Sequence, residues 1–200
     1  MPNKILILFA HPLFEKSNAN EILVKHIPDS PNITFHDLYQ EYPEFDIDMK
    51  REQELLLLHD IIIWHHPMYW YSCPPLLKQW IDIVLEHGWA YGKEGHALKG
   101  KLLLQVITTG GRKENYSSTG RDLYTIPQLL EPFSQTARVC NMIYLPPLVV
   151  HGTHSMTTEG YEENGQFYKK ALDYLEHRKV DVSELSQYPY FNDWFETKLS

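Results

Sequence analysis

Three stretches of this chain are apolar without alternation: Ile5 to Ala10 (ILILFA), Ile61 to Trp64 (IIIW), and KLLLQVITT from Lys101 to Thr109. A strand with one wet face alternates apolar and polar residues. A strand that does not alternate is covered on both faces, which is the condition of a central strand in a parallel sheet. Such a sheet needs helices over both faces, and the intervening sequence supplies them.

From His59 to Glu86 the chain reads as one unit of strand, loop and helix. Pro67 ends the ladder of the strand. Pro74 and Pro75 open a helix, where a missing N–H costs little. Leu76, Leu77, Trp80, Ile81, Val84 and Leu85 give that helix one apolar face. Upstream, Ser17 is an N-cap for a helical pattern carried by Glu21, Ile22, Leu23 and Ile27. Ile33, Phe35 and Leu38 alternate with polar residues, as in a less buried edge strand. Tyr42 to Asp48 reads as a loop, and Met49 to Leu58 as a helix with Lys50, Arg51, Glu52 and Glu54 solvated. His87 to Lys99 is a Gly-rich loop, and Arg112 to Tyr124 a polar, mobile one. Ile126 to Cys140 is helical but interrupted by Pro127 and Pro132. Tyr144 to Val150 is a fifth strand with Pro146 and Pro147 at its entry, and Glu159 to Lys179 a final helix.

Strands that alternate with helices predict a flavodoxin-like three-layer α/β sandwich: a five-stranded parallel sheet in the order 2-1-3-4-5, with right-handed crossovers. Residues 1–179 form this domain. Residues 180–200 form a tail whose Tyr188, Tyr190, Phe191, Trp194 and Phe195 imply docking on the domain or on a partner subunit.

Charge and cysteine content exclude several functions. The 200 residues carry 18 basic and 26 acidic side chains, a net charge of −8, and no basic stretch, so no nucleic-acid partner is expected. Two cysteines, Cys73 and Cys140, are too few for a disulfide framework and fit a reducing cytosol. No signal peptide and no membrane span are expected.

In a doubly wound sheet, ligands bind beyond the carboxyl ends of the strands at the switch point. The loops there are His11 to Asn20, Pro67 to Ser72 and Thr108 to Gly111. The first brings Ser17, Asn18 and the bare N–H groups of a helix start, an anion site fit for a phosphate. It contains neither G-x-G-x-x-G nor a G-K-[ST] P-loop. The second brings consecutive aromatics, Tyr69, Trp70 and Tyr71, in need of something flat to cover. The third brings two hydroxyls and two glycines, so backbone can approach a polar ring edge. Phosphate, flat ring and polar edge together describe flavin mononucleotide.

The residues ILILFAHP, the SNAN from Ser17, DLYQEYPEFDID from Asp37, WHHPMYWYSCPPLLKQWIDIVLEHGWAYG from Trp64, ALKGK and TTGG carry a likeness. In them the chain resembles the flavodoxin-like NAD(P)H quinone oxidoreductases. More closely it resembles the ancillary oxidoreductase subunits of bacterial glutathione-regulated potassium efflux systems. The likeness implies that His11, Ser17, Asn18, Ala19 and Asn20 hold the flavin phosphate and ribityl chain. Pro67, Met68, Tyr69, Trp70 and Tyr71 would wrap the isoalloxazine, and Thr108, Thr109, Gly110 and Gly111 would contact its polar edge. Tyr116 matches a tyrosine that assists hydride transfer in the wider family. The matching histidine position holds Asp122, which puts a relay through that second group in doubt. Also implied are a ping-pong hydride transfer from NADH or NADPH to a quinone and a homodimer with the flavin site at its contact. FMN is favoured over FAD. The implied place is the cytoplasm, or the inner face of the cell membrane where a potassium efflux protein is the partner. The competing implications are a non-catalytic flavin-binding module that activates such an efflux protein, and a one-electron carrier.

Other clusters carry less. His65 and His66 alternate across a strand and His151 to His154 is a short run, so no metal site is expected. Cys73 lacks a partner cysteine and reads as a packed thiol.

Overall fold

Strand β1 (Ile5–Phe9) lies between β2 (Ile33–Asp37) and β3 (Ile61–Pro67), with Ile7 opposite Phe35 on one side and Ile63 on the other. β4 (Leu102–Thr108) continues the sheet beside β3, pairing Ile61 with Leu102 and Pro67 with Thr108. This is a computed structural model, and it describes residues 1–199. All strand pairings are parallel, in the order β2-β1-β3-β4-β5. The expected sheet is therefore present, with one difference at its edge. The fifth position is split into β5 (Ile143–Tyr144) and β6 (Leu148–Val150), both paired with β4. Pro146 and Pro147 lie between the two pieces and have no N–H to give a ladder.

Alternate residues of the unbroken runs enter different cores. Leu6, Leu8, Ile62, Trp64 and Leu103 pack under α2 (Leu38–Glu41), α3 (Met49–Leu58), α4 (Pro75–Val84), α5 (Ile126–Leu129) and α6 (Glu131–Val139). Ile5, Ile7, Ile61, Ile63 and Leu104 pack on the other face, against α1 (Asn18–Lys25) and α7 (Thr158–His177). That division is why neither face of these strands needs polar residues.

The tail follows α7 as two more helices, α8 (Val182–Leu185) and α9 (Phe191–Leu199), so α7 is not the last. Phe191, Trp194 and Phe195 are buried in the same core as Tyr168 and Leu172. Asn192 lies along β6: Val149 N–H donates to its Oδ1 at 2.8 Å, and its Nδ2 donates to Val149 C=O at 3.1 Å. An amide side chain thus takes both hydrogen bonds that an open sheet edge leaves bare. The last residue of the expected tail, Ser200, lies outside the described residues.

One helix charge departs from expectation. Glu52 is fully buried rather than solvated. Its Oε1 accepts from His36 Nε2 at 2.8 Å and Tyr42 O–H at 2.6 Å, and its Oε2 from Trp80 Nε1–H at 2.7 Å. Burial alone would raise the pKa of this carboxyl, but these donors outweigh it and hold the group below the ordinary range. The loop from Arg112 also differs from a freely solvated one, since Tyr116 is buried within it. Cys73 is buried, and burial pushes its thiol up to about 11, as befits packing rather than redox work. Among the described residues no helix is long and apolar enough to cross a membrane.

Candidate functional site

The carboxyl ends of β1, β3 and β4 open into a cavity of about 540 Å³. From the first loop His11, Ser17, Asn18, Ala19 and Asn20 line it; from the second, Pro67, Met68 and Tyr69; from the third, Thr108 and Gly110. Ser17 caps α1, with its Oγ accepting from Asn20 N–H at 3.3 Å. Asn20 is itself buried and its Nδ2 donates to Ser17 Oγ at 2.8 Å and to Thr108 Oγ1 at 3.1 Å. One side chain thereby ties the first loop to the third. A helix start leaves the N–H groups of its first turn, here Asn18 and Ala19, without intrahelical acceptors. Donors therefore converge on one end of the cavity, where an anion fits. His11 Nδ1 accepts from Leu13 N–H at 3.1 Å, and burial lowers the pKa of this ring. It is neutral near pH ~7 and presents its other nitrogen as a donor.

Two histidines sit beneath the loops. His65 and His66 are fully buried on opposite faces of β3, and burial brings them down to about 3 and about 4. Each serves one loop. His65 Nε2 meets Asn20 Oδ1 at 3.1 Å, and His66 Nδ1 donates to Pro67 C=O at 2.9 Å.

The aromatic loop is a tight turn in which Tyr69 and Ser72 exchange backbone hydrogen bonds at 3.2 and 3.0 Å. Its two central residues, Trp70 and Tyr71, both adopt left-handed backbone, with φ of 47° and 61°. Side chains rarely accept that region, so the turn carries backbone strain. Trp70 is 94% exposed and Tyr71 46%, so neither folds back on the core. Tyr71 O–H donates to Asp122 Oδ1 at 3.2 Å, and Asp122 also takes Arg121 Nε–H at 3.0 Å. Asp122 is thus already engaged by two neighbours.

The third loop is pinned from outside. Thr109 N–H donates to Val150 C=O, Gly152 N–H to Gly111 C=O, and Thr109 O–H to Gly111 C=O, at 2.9, 2.8 and 2.9 Å. His151 Nδ1 lies 3.2 Å from Thr109 Oγ1, and its ring stands 5.8 Å from that of Tyr116. A Cβ on Gly110 would fall 2.4 Å from the His154 ring, and one on Gly111 would fall 3.1 Å from the Tyr116 hydroxyl. A side chain on Gly110 would displace the His154 ring, and one on Gly111 would press on Tyr116. Trp70, Tyr71, Thr109, Gly111 and Tyr116 do not line the cavity: Thr109 and Gly111 belong to the third loop, Tyr116 stands beside it, and Trp70 and Tyr71 form the exposed turn.

Sequence reasoning missed several lining residues: Leu13, Lys16, Thr153, His154 and Tyr161. The run from His151 to His154 is the one local signal for this group, through His154. Tyr161 gives no local signal, because its place on α7 is set by packing. The donors and bare glycine backbone of the cavity fit a phosphorylated flavin.

The chain is similar to known proteins over most of its length. General stress protein 14 of Bacillus subtilis is 42% identical over 173 residues, 86% of this chain and 97% of the relative. The glutathione-regulated potassium-efflux system ancillary protein KefG of Yersinia pseudotuberculosis is 41% identical over 171 residues, 86% of this chain and 94% of the relative. Among solved structures, general stress protein 14 of Treponema denticola in complex with FMN is 37% identical with a TM-score of 0.82. That match covers 86% of this chain and 99% of the other. An NADPH-quinone reductase from P. pentosaceus is 34% identical with a TM-score of 0.77, covering 84% and 97%. A family model described as flavodoxin-like fold matches residues 3–177, and the chain belongs to that family.

Proposed function

We propose that this protein is an FMN-dependent NAD(P)H:quinone oxidoreductase. The observation that carries the reading is the Asn20 bridge, which brings a phosphate-type helix start and the Thr108 loop to one cavity. The relatives support it: one neighbour is held with FMN and another is an NADPH-quinone reductase. Bound FMN would supply the hydride chemistry, in two half-reactions that share one open face. The chain's own part is to bind, orient and donate. Ser17, Asn18, Ala19 and Asn20 would hold the phosphate end, with His11 beside them. Met68 and Tyr69 would wall the ring, and Trp70 and Tyr71 would face it from a second subunit or from the exposed turn. The N–H groups of the Thr108–Gly111 loop would stabilise negative charge at the ring's polar edge.

Tyr116 is the proposed catalytic residue. Burial, then the charge of Asp122, raises its pKa, so its phenol keeps its proton; the hydroxyl stands beside Gly111, from where it would donate to a bound acceptor. The co-substrates are NADH or NADPH and a quinone or similar planar electrophile. The exposed Trp70 supports a homodimer that completes the site, the two free cysteines support a cytoplasmic protein, and the acidic balance of charge speaks against a nucleic-acid partner.

The test is the visible spectrum of the purified protein, the mass of its released cofactor, and steady-state NAD(P)H oxidation with a soluble quinone. Yellow protein releasing FMN and turning over quinone is expected. A protein that stays colourless and takes up no FMN in excess overturns the reading. The likeness to KefG favours a second reading, a flavin-binding ancillary subunit that activates a potassium efflux protein, docked at the inner face of the membrane. Bound flavin without quinone turnover would favour it.

A further inference from the structure

Beneath the phosphate end of the cavity runs a buried chain of hydrogen bonds. Tyr168 O lies 3.4 Å from His65 Nδ1, His65 Nε2 lies 3.1 Å from Asn20 Oδ1, and Asn20 Nδ2 reaches Ser17 Oγ and Thr108 Oγ1. Tyr168, His65 and Asn20 are all buried. Such a chain is self-consistent in two directions. In one, Tyr168 donates to His65, His65 to Asn20, and the amide to both hydroxyls. In the other, the amide is turned over, Ser17 and Thr108 donate inward, and His65 donates to Tyr168. The choice decides what the cavity sees. In the first, the hydroxyl hydrogens of Ser17 and Thr108 are free for a ligand. In the second, both are spent inside the protein.

Tyr168 breaks the symmetry. Its hydroxyl has no hydrogen-bond partner other than His65 among the described residues. In the inward direction its hydrogen would be buried without an acceptor, a state that folded proteins avoid. In the outward direction every hydrogen in the chain is used except the two that face the cavity. His65 must be neutral for this, with the hydrogen on Nε2, and complete burial keeps it so.

We propose that Tyr168 and His65 are positioning residues that fix Ser17 and Thr108 as hydrogen-bond donors, selecting a phosphate dianion over a neutral alcohol at this end of the site. The proposal rests on the flavin reading above and adds what distinguishes FMN from riboflavin. Neither residue touches the ligand; they act through Asn20.

The test is the ratio of riboflavin to FMN dissociation constants, measured by flavin fluorescence on protein stripped of flavin. Tyr168→Phe removes one oxygen and no packing volume. It is expected to lower that ratio roughly tenfold, the loss of one hydrogen bond to a charged group, with riboflavin affinity unchanged. His65→Leu should lower it at least as far, and His65→Gln, which keeps an amide donor toward Asn20, should restore part of it. Nitrogen NMR of the histidine rings in the unaltered protein checks the direction without any variant: His65 should carry its hydrogen on Nε2. A hydrogen on Nδ1, or an unchanged ratio in Tyr168→Phe and His65→Leu, overturns the proposal and leaves FMN binding intact. Unaltered protein that takes up neither flavin overturns the flavin reading, and the inference with it.

Discussion

Trp80 Nε1–H donates to Glu52 Oε2 at 2.7 Å, joining helices α4 and α3 through a carboxylate that no solvent reaches. His36 and Tyr42 hold the other oxygen, so three segments meet on one acid. The folded pKa of Glu52 lies below its unfolded value. Its stabilisation is therefore complete above the unfolded carboxyl pKa, near ~4.3, and is lost as pH falls through the lower folded value. Glu52→Ala should cost about 3 kcal/mol near pH ~7, because three buried donors lose their acceptor. Glu52→Gln should also destabilise, since its NH2 faces a donor. Urea unfolding of these variants from neutral to acidic pH checks both, and the difference from the unaltered protein should shrink at the acid end.

Tyr116→Phe should keep FMN and lose quinone turnover by roughly tenfold or more, the range of a positioned proton donor. The ring is buried beside His151 and would stay in place without its hydroxyl. Stopped-flow reduction by NAD(P)H and reoxidation by quinone separate the halves. The reoxidation half should carry the loss; unchanged quinone turnover would remove Tyr116 from the mechanism.

Gly165→Ala should destabilise by roughly 1 to 3 kcal/mol, against the usual gain of alanine in a helix. A Cβ there would fall 2.5 Å from His26 Nδ1, and that ring is held by Ile22 C=O and Glu162. The clash would push α1 off α7. FMN affinity should fall with stability, because α1 carries Ser17 to Asn20. Thermal melts beside FMN titration check the pair of effects.

The turn at Trp70 and Tyr71 stores strain that asparagine and glycine would release. Trp70→Asn with Tyr71→Gly should raise the stability of flavin-free protein by about 1 kcal/mol. The same change removes the exposed aromatic pair, so FMN affinity and self-association should drop. Chemical denaturation and sedimentation measure the opposed outcomes. A double variant that gains stability and keeps full FMN affinity would separate the strain from function.

Features written locally in the sequence were legible; those made by distant partners were not. Met49–Leu58 is readable to the residue from its helix-forming composition, and the structure adds the Asp48 cap that fixes its start. Ser17 declared the start of α1, and the unbroken runs at Ile5 and Ile61 declared the central strands. Glu52 was misjudged because a charge on a helix is ordinarily solvated, and its partners come from β2, the loop after α2, and α4. Pro146 and Pro147 read from the sequence as a strand's entry, whereas in the structure they interrupt it. The two helices of the tail are hidden among its aromatics. In the site, loop ends at the switch point were predictable from topology, whereas His154 and Tyr161 reach the cavity only through the packing of α7 and the loop before it.

The pairing of Asn192 with Val149 has a consequence for synthesis. A nascent chain emerges from its amino end, and the segment that seals β6 is made only after β6 itself, Asn192 following Val149 by 43 residues. Until Phe191 and Asn192 have left the ribosome, the β6 margin stands open to any extended peptide nearby. Closure of this edge then lags behind the making of β6, and a chain arrested between the two is exposed to mispairing that the sealed sheet escapes.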